Sequence, residues 1–225
     1  MGSNCAAGMP LGEDHEPMKA MLVECVGTFF LVLVIGLTVV SPGAGAMAPL
    51  AIGAMLMVMV YAGGHISGAH YNPAVTLAVW LRGACPASKI PGYLGAQLLG
   101  AVLAAGAVKM CKPNVMVFAS QLALRPALLV EMLFTFALAF VVLNVATAKK
   151  TAGNSYFGLA IGFTVMAAAY AGGNISGGAF NPAVAVAITL LGLSQVKFLW
   201  VFLAANLLGG ALAAWVFRLV NPNDR

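Results

Sequence analysis

The chain has 225 residues, of which 62% are hydrophobic and 8% charged, with a formal net charge of +5. A soluble domain of this length needs far more charge to cover its surface, so the composition excludes an ordinary water-soluble globule. The mean hydropathy of +0.98 points to a membrane protein, and lipid rather than nucleic acid is the surface its basic residues face.

In chain order, residues 1–17 come first as a polar stretch that groups Glu13, Asp14, His15 and Glu16. It lacks the basic start, apolar core and small-residue cleavage site of a signal peptide, and reads as a short cytoplasmic tail. Residues 18–225 read as a single membrane domain. About 20 apolar residues are needed to cross a bilayer. Six segments approach that length: 19–40, 46–63, 88–110, 125–147, 155–171 and 196–220.

Basic residues sit at the segment ends, where they set topology. With the N-terminus in the cytoplasm, Lys19, Arg82, Lys89, Lys149, Lys150, Arg218 and Arg225 fall inside. Lys109, Lys112, Arg125 and Lys197 fall outside, so the balance is seven against four. Both termini are then cytoplasmic. Cys5, Cys25, Cys85 and Cys111 show no metal-ligand spacing. Cys25 reads as a small core residue, and Cys111 as the one facing an oxidising side. No catalytic constellation and no cofactor site stand out.

The chain repeats itself. "YAGGHISGAHYNPAV" at 61–75 matches "YAGGNISGGAFNPAV" at 170–184 at eleven of fifteen positions, with an offset of 109. "AIG" at 51–53 recurs at 160–162, and "VECVGTFFL" at 23–31 answers "VEMLFTFAL" at 130–138. Two units result, about 18–112 and 125–220, each with three spanning segments. An odd number of spans turns the second unit over, which gathers the matched motifs at the midplane between the units.

Each unit also holds a segment too short to span, Pro73–Leu81 and Pro182–Leu191. Asn72 and Asn181 suit the N-cap, where a side-chain oxygen accepts from first-turn N–H groups. Pro73 and Pro182 suit the first helical position, where the missing N–H costs nothing. Ala74 and Ala183 follow them. The expectation is a pair of half-helices that start inside the protein and point their positive ends at each other. "GGHISGAH" and "GGNISGGA" read as extended loops beside a water-filled cavity, the setting in which irregular backbone survives at membrane depth. Each Asn would cap its own helix and still offer an N–H to the lumen. Water held there donates outward on both sides, which interrupts a proton-conducting chain.

These motifs resemble the major intrinsic protein family, the aquaporins and aquaglyceroporins, from about Lys19 to Arg218. The resemblance implies an all-α membrane protein with six transmembrane helices, two re-entrant half-helices, an inverted internal repeat, one pore per subunit and a homotetramer. Glu24 and Glu131 match the family's buried glutamates, which accept hydrogen bonds from the pore loops. His65 is placed at the inner vestibule, and His70 as packed or hydrogen-bonded.

The family's constriction uses four positions, which spacing places at Ile52, Ala169, Gly178 and Val184. Water-selective members resemble Phe, His, a small residue and Arg there. Glycerol facilitators usually keep the Arg and follow it with Asp, where this chain has Ala185. The nearest resemblances are to plant vacuolar-type members and to bacterial members linked with metalloid resistance. Without the rings and the guanidinium, the filter should be wider and more apolar, with fewer donors to replace a solute's hydration.

The function expected is a passive channel for water and small neutral solutes: ammonia, urea, glycerol and hydrogen peroxide. A channel for a metalloid acid such as arsenite is the alternative. A coupled transporter with Glu24 and Glu131 as relay, and a closed-pore scaffold, are the readings from other classes. The expected setting is a bacterial cytoplasmic membrane, with a eukaryotic vacuole as alternative.

Overall fold

The computed structural model describes residues 17–113, 115, 119 and 121–224. The polar stretch up to residue 16, with Cys5, and Arg225 lie outside the described residues. Among the described residues eight α-helices follow one another: α1 Pro17–Val39, α2 Ala48–Ser67, α3 Pro73–Arg82, α4 Ile90–Cys111, α5 Leu124–Val142, α6 Phe157–Ser176, α7 Pro182–Leu190 and α8 Leu199–Val220. A π-helical turn, Leu143–Thr147, prolongs α5. Six of these are long and apolar enough to cross a membrane, so the chain is an integral membrane protein. The remaining two, α3 and α7, have 10 and 9 residues, at most half of a span.

Packing follows the internal repeat. In the first half α1 lies against α4 and α2; in the second α5 lies against α8 and α6. The halves then interlock, because α3 packs on α8, α7 packs on α4, and α2 packs on α6. Small residues permit the close crossings that bilayer helices rely on. A methyl at Gly100 of α4 would sit 2.3 Å from the Cys25 carbonyl oxygen, and one at Gly209 of α8 would sit 2.5 Å from that of Met132. Where α2 crosses α6, a methyl on Gly53 would lie 2.7 Å from the Gly162 oxygen, and one on Gly162 2.5 Å from the Gly53 oxygen.

Two expectations need correction. The glycine-rich stretches are not extended throughout: Gly63–Ser67 and Gly172–Ser176 are the last turns of α2 and α6. Gly63 and Gly172 admit neighbours rather than bend the chain. A methyl at Gly63 would sit 2.0 Å from the Tyr71 hydroxyl, and one at Gly172 2.6 Å from Val130. Gly68 and Gly177 turn left-handed, at φ 87° and 95°, and cap the helices. Cys25 is half-buried rather than in the core, because it lies one residue off the stripe of Glu24, Gly27, Thr28 and Leu31 that α1 buries. Cys111 is exposed at the end of α4.

Candidate functional site

The two short loops between α2 and α3 and between α6 and α7 are strained. Ala69, Tyr71 and Phe180 carry φ of 51°, 49° and 47°, in the left-handed region that non-glycine residues avoid. One buried carboxylate holds each loop. Glu24 accepts from Ser67 Oγ (2.7 Å), His70 N (2.9 Å) and Tyr71 N (2.7 Å). Glu131 accepts from Ser176 Oγ (2.6 Å), Ala179 N (2.9 Å) and Phe180 N (2.7 Å). Both glutamates are 0% exposed. An acid at such a depth is tolerable because loop amides and a hydroxyl replace its water.

Asn72 and Asn181 cap α3 and α7 as their position in the sequence implies. Asn72 Oδ1 accepts from Ala74 N at 2.8 Å, and Asn181 Oδ1 from Ala183 N at 2.9 Å. Pro73 and Pro182 open the helices. The other end of each amide does something the sequence reading missed. Asn72 Nδ2 donates to the Phe180 carbonyl at 2.9 Å, and Asn181 Nδ2 to the Tyr71 carbonyl at 2.8 Å. Each asparagine therefore binds the loop of the opposite repeat and locks the two half-helix tips together. A primary amide carries two N–H groups, so a second donor is left on each.

Beside this junction lies a cavity of about 590 Å³. Asn72 and Asn181 line it together with Ile52, Ala169, Gly178 and Val184, so the structure brings all four spaced positions to one space. Leu31, Ile35, Leu56, Val142, Ile161 and Val165 supply apolar wall. No Asp, Glu, Lys or Arg lines it among the described residues. His70 also faces it while buried, its Nδ1 3.1 Å from Thr76 Oγ1 and its ring 5.2 Å from that of Tyr93. His65 is exposed on the last turn of α2 and is not among the lining residues.

Sequence reasoning also missed Ser67, Ser176 and Gln97. Both serines hold their glutamate and accept from the loop: Ala69 N reaches Ser67 Oγ at 3.0 Å, and Gly178 N reaches Ser176 Oγ at 3.0 Å. Their identical place in "ISG" of both repeats was the available signal. Gln97 donates to Glu24 Oε2 at 2.8 Å and to Thr76 Oγ1 at 3.0 Å.

Six apolar spans, two tip-to-tip half-helices and a charge-free cavity at their junction define a membrane channel of inverted-repeat build. The family profile described as "Major intrinsic protein" matches residues 13–217. The chain is 34% identical over 221 residues to "Aquaporin NIP1-1" of Zea mays, covering 92% of this chain and 77% of that protein. It is 35% identical over 224 residues to "Glycerol uptake facilitator protein-like 6" of Lactiplantibacillus plantarum, covering 92% and 100%. Among solved structures, the aquaglyceroporin from Plasmodium falciparum superposes with a TM-score of 0.76 at 20% identity, over 92% of this chain and 98% of that one, a likeness of fold. The chain belongs to the major intrinsic protein family of aquaporin and aquaglyceroporin channels, and is not an enzyme.

Proposed function

We propose that the chain conducts water and small neutral solutes passively, including ammonia, urea, glycerol and hydrogen peroxide, through a wide apolar filter. The observation that carries this reading is the lining itself. Ile52, Ala169, Gly178 and Val184 offer aliphatic or no side chains, and no charge faces the cavity among the described residues. A solute passing such a wall gives up hydration with few side-chain donors to replace it, so charged species are penalised most and neutral ones least. The spare N–H groups of Asn72 and Asn181, with the positive ends of α3 and α7, form the midplane barrier to cations and protons. Glu24 and Glu131 support the loops, and His65 belongs to the inner vestibule. The relative named a glycerol uptake facilitator supports a solute larger than water. A homotetramer in a bacterial cytoplasmic membrane, termini inside, completes the proposal.

Stopped-flow light scattering on proteoliposomes tests it, with water, urea, glycerol, ammonia and arsenite measured on one preparation. Flux of water and at least one larger neutral solute, with low activation energy and indifferent to ionophores, is expected. Dependence on a proton gradient would sink the proposal. Arsenite far exceeding glycerol would reassign the cargo to metalloid acids.

A further inference from the structure

The membrane face at which α3 ends carries a buried ion pair that the channel reading leaves unused. Arg82, the last residue of α3, is 6% exposed. Its Nε donates to Thr147 Oγ1 at 3.0 Å, and its Nη2 donates to the Thr147 carbonyl and to Asp224 Oδ1, both at 2.8 Å. The guanidinium also stacks over the Phe217 ring of α8, 5.1 Å from its centroid. Asp224 Oδ2 in turn accepts from the Lys149 backbone N–H at 2.8 Å. With Asn221 Nδ2 donating to Asn144 Oδ1 at 3.4 Å, the segment after α8 is folded back onto three elements: the end of α3, the π-helical turn after α5, and the 149–151 turn.

The placement gives this pair mechanical leverage. The half-helix α3 is ten residues long, which makes it a rod of roughly 15 Å. One end is Asn72 at the tip junction; the other is Arg82. A short hydrogen-bonded helix moves as a unit, so where Arg82 is held decides how far Asn72 projects. Thr147 closes the π-helical turn that begins directly after Val142, a residue of the cavity wall. Among the described residues the second half has no ionic counterpart. Leu191 stands at the position equivalent to Arg82, and α7 ends there through backbone bonds such as Leu191 N to the Ala187 carbonyl at 2.9 Å.

We infer that Arg82 and Asp224 form a clamp that sets the position of α3 along its axis, which makes both positioning residues for Asn72 and for the width of the midplane. A released α3 lets the tip recede from the Phe180 carbonyl and widens the junction. Larger solutes gain more from that than water does. The inference rests on the channel reading.

The test compares urea and water permeability in the same proteoliposomes of the full chain, because their ratio does not depend on how many channels are inserted. Asp224→Asn should raise the urea-to-water ratio roughly two- to fivefold, the size of effect typical of residues coupled to a distant site. Asp224→Glu, which keeps the charge, should return the ratio toward that of the unaltered protein. If Asp224→Asn does not fold, the double variant Arg82→Gln/Asp224→Asn leaves no unpaired buried charge and should show the same rise. An unchanged ratio in a folded double variant overturns the clamp alone. Absence of flux in the unaltered protein overturns the channel reading and the clamp together.

Discussion

The two halves of the chain build the same loop from the same parts, yet the first half holds its version with more bonds. Glu24 receives the Gln97 amide in addition to the serine and two loop amides. At the equivalent position in the second half stands Asn206, whose oxygen accepts from Thr135 at 2.9 Å and whose side chain also lies beside Glu131, without the further bond that Gln97 makes to Thr76. Thr76, bonded to Asn72 O at 3.1 Å and to Gln97, is replaced by Ala185. The Tyr71 hydroxyl donates to the Met59 carbonyl at 3.0 Å, whereas Phe180 relies on an edge contact with the Phe134 ring at 5.4 Å. The difference teaches that an inverted repeat need only keep the bonds that shape the junction. The glutamate, serine and asparagine contacts are kept in both halves; the braces behind them have diverged.

Breaking the carboxylate anchors should give the largest effect. Glu24→Ala and Glu131→Ala each leave buried donors without a partner, at a cost of about 3–5 kcal/mol. Thermal scans in detergent should show Glu24→Ala as the worse by about 1 kcal/mol, because Gln97 is orphaned too. Equal losses would break the comparison. Next comes Val184→Arg, whose counterpart in the other half, Val75, also lines the cavity. It should cut urea flux relative to water by about tenfold, or about 1.4 kcal/mol of barrier; equal loss of both fluxes in folded protein counts against an open apolar filter at Val184.

Asn181→Asp and Asn72→Asp keep the capping oxygen, but each replaces a donor of about 1 kcal/mol with negative charge at the junction. Both should admit cations in conductance recordings, and unchanged conductance in either folded variant argues against the midplane barrier. The smallest effect belongs to Tyr71→Phe, which makes the first half resemble the second. Loss of the bond to Met59 should lower stability by about 1 kcal/mol with little change in water flux. A large flux defect would show that the brace, not the glutamate, shapes the loop.

Much of the fold was legible because its signals are local. Apolar runs marked the six spans, and the duplicated Asn-Pro-Ala segments marked two capped half-helices, whose ends at Arg82 and Leu190 fall within a residue of expectation. The glycine stretches misled. Gly63 and Gly172 look like loop residues in sequence, but each is vacated space for Tyr71 or for Val130, seen only once the helices are packed. The four spaced positions reach one cavity because spacing from a helix start is itself a local measure. Arg82 read as an ordinary topology signal, since nothing near it in sequence announces Thr147, Asp224 or Phe217.

The sequence by itself determined the membrane setting, the duplication, the family and which residues cap the half-helices, since each follows from composition, periodicity or a short motif. Tertiary structure alone decided what those caps do with their remaining donors. Asn72 reaches Phe180 and Asn181 reaches Tyr71 across more than a hundred residues of chain. Hydrogen bonding to a partner that distant depends on how helices pack, and packing has no signature in the residues on either side of an asparagine.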